Sequence, residues 1–413
     1  MFRVLEVRAQ QSFLRGQSAI AALFCSLGFQ YATWASRIPA IKSELGLTAA
    51  EVGMLLMAAG VGAAVSFPLV ALLMRALGSL RLALLSQLGL TLLLPALAAA
   101  PNYPVALGVM CADGLLVGCL NVAMNAQGAA LEAKFERNAM ARLHAVFSGG
   151  SLLAALLASG VSTVTQSVRA HFGVAVALLV LLGAYARTGL LADDGPAGEE
   201  TDAEGAAQAG SGKGGGPTKA RGRRWPLPSR VTLWMCFAMV FGTIAEGAMN
   251  DWSTLYMRDI AKASAQTAPL GIAVVSGMMV LARLFADGWR ARWGDARVVL
   301  LGSALAGAGL AAALVSGGVA PALAGFACVG LGIAAVTPCV YAAAARQGSD
   351  ALTLVAAMGT TGLLAGPPLI GFVAGAGNLA WGMATVAASA LAVSLCSTRI
   401  RWTPLQAASS GSG

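Results

Sequence analysis

Gln30, Trp34 and Arg37 fall at i, i+4 and i+7, a spacing that places all three on one face of a helix. An indole face stacks on the C–H bonds of a sugar ring while an amide donates to and accepts from its hydroxyls, so Gln30 and Trp34 together suit a polyol. The same residues fit an aromatic belt at a membrane boundary, with Arg37 snorkelling into the outer water. Asn121 and Asn125 stand one turn apart, and Asp113 lies two turns before Asn121. Their polar groups serve a bound solute or a hydrogen bond between helices, because an amide left unpaired in lipid costs about a kcal/mol or more.

Glu246 and Asn250 repeat the one-turn spacing, followed directly by Asp251 and Trp252. A carboxyl among apolar residues titrates or takes a partner, which makes Glu246, Asp113 and Asp251 candidate proton carriers. The alternative is a helix break near Gly247 that leaves Glu246, Asn250 and Asp251 in outer water. Arg283 and Asp287 can pair at i, i+4, either as a gate between moving parts or as a static structural pair.

Other chemistry finds little footing. The chain holds two histidines, His144 and His171, with no metal-ligand spacing and no nucleophile-base pair, so no enzyme, metal or cofactor is expected. The glycine-rich GSGKGGG has Gly214 after Lys213 where a phosphate loop needs Ser or Thr, and no strand precedes it.

The elements that must carry these residues are membrane helices. Charge-free stretches run from 298 to 345 and from 351 to 398, 48 residues each. A spanning helix needs about 20 apolar residues, so each stretch holds two. Gly317, Gly318 and Pro321 break the first, and Gly375 to Asn378 the second. Shorter runs at 16–36, 52–74, 82–112, 114–131, 143–168, 170–186, 231–245 and 263–282 complete twelve predicted spans, the seventh continuing past Glu246 to about Tyr256. Only 11% of residues are charged and 57% are hydrophobic, which excludes an ordinary soluble domain, where about 25% are charged. The net charge of +9 does not point to nucleic acid. Of 27 Lys and Arg, 21 fall on alternate loops, which predicts cytoplasmic N- and C-termini and a bacterial inner-membrane location.

Residues 192–229 pass from an acidic stretch through Gly/Ser-rich sequence to Arg221, Arg223 and Arg224. This composition predicts a disordered cytoplasmic linker between two halves, 1–191 and 230–400, with a tail at 401–413. The halves share weak matches at smoothly drifting offsets: Trp34 with Trp252, Gly78-x-x-Arg81 with Gly294-x-x-Arg297, Val117-Gly118 with Val329-Gly330, and Leu152-Leu153-Ala154 with Leu363-Leu364-Ala365.

Two six-helix halves around a long loop resemble the major facilitator superfamily, although of its post-helix-2 signature only Gly78 and Arg81 survive. The segments Phe29 to Thr48, Asn121-x-x-x-Asn125, Glu246 to Ser253 and Leu364 to Phe372 are similar to the MosC/YbjJ-like branch, relatives of the fucose permeases. The resemblance implies an all-α fold of twelve transmembrane helices and a cavity walled mainly by spans 1, 4, 7 and 10. Gln30, Trp34, Asn121, Asn125, Asn250, Trp252 and Tyr341 are then the candidate solute-binding residues. Thr337 lies beside them and Pro338 marks a kink.

The expected activity is secondary transport of a small sugar-like or cyclitol-like solute, with protons as candidate co-substrate, by a monomer embedded in the lipid bilayer. Multidrug or metabolite efflux by proton antiport is the alternative, ahead of a membrane-embedded enzyme or a sensor. The coupling acids of the fucose-proton symporters align with Ala35 and Asn121, so that proton path is not inherited.

Overall fold

The computed structural model describes residues 2–137, 139–191 and 229–402. The expected linker, apart from Ser229, and the tail from 403 onward lie outside the described residues. The described chain is all helix, with no strand among the described residues: α1 (Phe2–Ala35), α2 (Ile38–Leu45), α3 (Ala49–Ala98), α4 (Tyr103–Phe135), α5 (Met140–Val164), α6 (Val168–Ala186), α7 (Arg230–Asp259), α8 (Leu270–Ser316), α9 (Val319–Ile333), α10 (Val336–Ala345), α11 (Ser349–Ala376) and α12 (Leu379–Ser397). Polar caps start five of them. Thr48 and Glu51 form a capping box at α3, and Asn102, Ser167, Ser229 and Asn378 accept from the first turns of α4, α6, α7 and α12.

α3 and α8 each hold two membrane passes, turning at Gly78 (φ 73°) and Gly294 (φ 78°). Both sit in the left-handed region open to glycine, which explains why the matched Gly-x-x-Arg motifs stand there. One pass is instead divided, between α9 and α10, with Pro338 in the first turn of α10, where its missing N–H breaks no helical bond. Nine segments among the described residues are long and apolar enough to cross a membrane. α3 counts once among them and divides at Gly78, so α1 and Leu270–Ala286 bring the passes to twelve. α7 is continuous through Gly247, so the helix break considered there does not occur.

Passes within each half pack through residues too small to hold backbones apart. A Cβ on Gly114 of α4 would stand 1.7 Å from the Ala59 carbonyl oxygen of α3. Gly118 lies against Ser66 of α3, and its repeat mate Gly330 of α9 lies against Val275 of α8. The outward surface is apolar, with Leu72, Leu181, Leu301 and Leu395 all exposed, as a lipid-facing wall requires. Arg37 departs from the snorkelling expectation. It is buried, and its Nε donates to His171 Nδ1 of α6 at 3.1 Å, a partner 134 positions away.

Two faces follow from this path: the face holding α2, and the opposite one, where α1 begins. Among the described residues, four hydrogen-bonded crossings join the halves: Tyr31–Asp251, Lys42–Asp259, Ser159–Gln266 and Arg283–Ser148. The first three lie between the α2 face and mid-depth, and Arg283–Ser148 lies near mid-depth. α3 of the first half and α11 of the second also touch toward the α2 face, where a Cβ on Gly53 would stand 3.1 Å from Gly371 Cα. The halves are thus joined at the α2 face, and these bonds run out at mid-depth.

Candidate solute and coupling site

Consecutive helical residues point about 100° apart, so Gln30 and Tyr31 address different neighbours from one turn of α1. Gln30 Nε2 donates to Asp113 Oδ1 of α4 at 2.6 Å, within its own half. The Tyr31 hydroxyl donates to Asp251 of α7, in the other half. Asp113 and Asp251 are 3% and 6% exposed, and among the described residues neither has a cation in ion-pair contact. Tyr31 also lies within electrostatic reach of Asp113 and Glu246. Gln30 Oε1 is buried with no donor among the described residues.

Glu246 has the cation that the other two lack. Arg283 of α8 reaches it at 3.1 Å and also donates to Ser148 of α5, so one guanidinium ties α7 and α8 to the first half. Arg283 is therefore engaged across helices. Its expected partner Asp287 has a side chain outside the described residues. Asn250 Nδ2 donates to the Glu246 carbonyl at 3.2 Å, bonding within α7. Tyr341 of α10 is half-buried within electrostatic reach of Glu246. His144, exposed on α5 and set edge-on against Phe24, lies within reach of Arg283.

The remaining candidates sit apart from this cluster or are occupied locally. Asn125 Nδ2 donates to the Asn121 carbonyl at 2.8 Å and to its Oδ1 at 3.0 Å, leaving Asn121 exposed. Trp34 is 3% exposed, turned into the first half against Ile38, Leu55, Leu97 and Met110, with Tyr31 edge-on at 4.9 Å. Trp252 is fully buried, and among the described residues neither indole N–H has a partner.

Sequence reasoning missed Tyr31, Ser148 and His144. Tyr31 was visible as a hydroxyl within a span, but it lies off the i, i+4, i+7 face that drew attention to Gln30. Ser148 carries no pattern of its own.

The Major Facilitator Superfamily model matches residues 19–349. An uncharacterised MFS-type transporter of Yersinia pestis is 30% identical over 94% of this chain and 98% of its own length. Membrane protein MosC of Rhizobium meliloti is 30% identical over 88% and 84%, respectively, matching the branch that the motifs suggested. Among solved structures, the nucleoside transporter NupG superposes with a TM-score of 0.70 at 14% identity, covering 94% of this chain and 98% of that one. FucP in the outward conformation gives 0.58 at 16%, covering 95% and 100%.

Proposed function

Because this chain belongs to the major facilitator superfamily and is a secondary transporter, we propose that it moves a small, neutral, hydroxyl-rich solute, sugar-like or cyclitol-like, by proton-coupled alternating access. One observation carries this reading: α1 holds two buried acids, one per half, through neutral donors on adjacent residues. Enclosing an ionised carboxylate without a cation costs several kcal/mol, and a bound proton removes that charge. Asp113 and Asp251 are the proton carriers in this reading. Glu246 positions α7 against Arg283.

The solute class rests on the charge balance. Arg283 is matched by Glu246, so what remains for a ligand is amide and hydroxyl: Gln30, Asn121, Asn250 and Tyr341. Such a set favours many neutral hydrogen bonds over a charged group. In this reading, supported by the charge asymmetry of the loops, both termini lie in the cytoplasm of a bacterial cell, and the halves part toward the cytoplasm. The moving bodies are 1–191 and 230–400, joined by 192–229 and followed by 401–413, acting as a monomer.

A thermal-shift screen of purified protein against sugars, cyclitols and lipophilic drugs identifies the solute. Stabilisation by drugs and by no polyol overturns the solute class in favour of efflux. In vesicles reconstituted with the solute found, Asp113→Asn and Asp251→Asn abolish accumulation driven by a pH gradient while solute exchange continues. Accumulation that still follows the gradient in both variants overturns the proton assignment.

A further inference from the structure

A groove near the face where α1 begins has no part in the transport reading. α1 supplies its floor with Leu14, Ser18 and Ala21, α5 one wall with Arg142 and Val146, and α6 the other with Tyr185, around about 590 Å³ of space. No lining residue comes from α7 to α12, so the groove lies outside the seam between the halves. Both walls pack on α1 and scarcely on each other, which leaves the groove open sideways between them.

Its polar groups gather at one depth. The charge-free run of α1 begins directly after Arg15, and that of α5 directly after Arg142, so both guanidiniums stand where hydrocarbon gives way to headgroups. Both side chains are exposed, and neither forms an ion pair among the described residues. One turn deeper, Ser18 Oγ and the Tyr185 hydroxyl lie 2.9 Å apart. Further in, the lining is apolar, with Ala21 of α1 and Val146 of α5, and at the rim Leu14 and Tyr185 are each about half exposed.

We propose that this groove binds an anionic phospholipid, its phosphate between Arg15 and Arg142 and its acyl chains along Ala21 and Val146. Guanidinium forks match phosphate oxygens, and an unneutralised pair of them at the membrane boundary attracts negative headgroups. The apolar floor selects a lipid over a free anion, because a soluble phosphate would leave that floor uncovered.

The test uses the full-length purified protein in neutral detergent, titrated with phosphatidylglycerol or phosphatidylcholine and followed by thermal melting and native mass spectrometry. Phosphatidylglycerol should raise the wild-type Tm more than phosphatidylcholine does. Each arginine beside an anionic headgroup contributes roughly a fivefold factor, so R15Q and R142Q each lose about fivefold in phosphatidylglycerol affinity and the double variant about thirtyfold. R169Q, at the other end of α6, keeps its affinity, and glycerol 3-phosphate leaves the wild-type Tm unchanged. Equal stabilisation by the two lipids, undiminished affinity in the double variant, an R169Q loss as large as the others, or a glycerol 3-phosphate effect matching the lipid's would each overturn the site.

Discussion

Glu246 and Arg283 meet at 3.1 Å between α7 and α8, and the same guanidinium reaches across to Ser148 of α5. The pair is about a quarter exposed, so it is neither a surface bridge nor a fully dry one. Removing one partner leaves a single charge at mid-depth. Glu246→Gln and Arg283→Gln should each destabilise the protein by about 1–3 kcal/mol, and the double variant should recover most of that loss. Thermal melting of the three variants in detergent checks this; a double variant as unstable as the sum of the singles would show that the two residues act independently.

Lys42 of α2 bonds Asp259 of α7 at 2.6 Å and so clasps the halves at the α2 face. Reversing one charge sets like charges opposite each other. Lys42→Asp should cut transport several-fold and raise labelling of a cysteine introduced at Ile41, reporting an opened α2 face. The exchange K42D/D259K should restore both. If it restores neither, the bond is an accident of the closed arrangement.

Trp252 is fully enclosed and its indole N–H has no partner among the described residues, so the ring acts by filling space. Trp252→Phe should keep transport within about twofold of wild type, while Trp252→Ala should cost about 3–5 kcal/mol by leaving a cavity. A transport loss in Trp252→Phe with unchanged melting would instead put the indole in contact with solute.

At Gly114, any side chain collides with the main chain of α3, its Cβ standing 1.7 Å from the Ala59 carbonyl oxygen. Gly108, on the same helix, has nothing within 4 Å of that position. Gly114→Ala should lower the yield of monodisperse protein and cost about 1–3 kcal/mol, whereas Gly108→Ala should be neutral by size-exclusion and melting. Comparable behaviour of the two would contradict the close crossing of α3 and α4.

The fold was legible because lipid imposes a one-dimensional rule: a membrane pass must exclude charge along its length, and runs without charge can be read from a linear chain. Gly78 and Gly294 were legible as a matched pair between expected passes, and both take the positive φ that the turn there needs. Side-chain partners were not. Helical spacing suggested Asp287 for Arg283 and could not reveal the partners described for it, Glu246, 37 positions away, and Ser148, 135 positions away. Arg37 read as a snorkelling cation because nothing local reveals His171. Periodicity tells which face of a helix is polar, but which helix that face meets is a property of the assembled bundle.

Where Gly53 and Gly371 come together, bare main chain lies against bare main chain. Such a joint has no interlocked side groups to disengage, and its amides are already bonded along their own helices. It can come apart without any rotamer changing and close again without a search for fit, so this stretch of the seam adds little friction to whatever motion carries the cargo through.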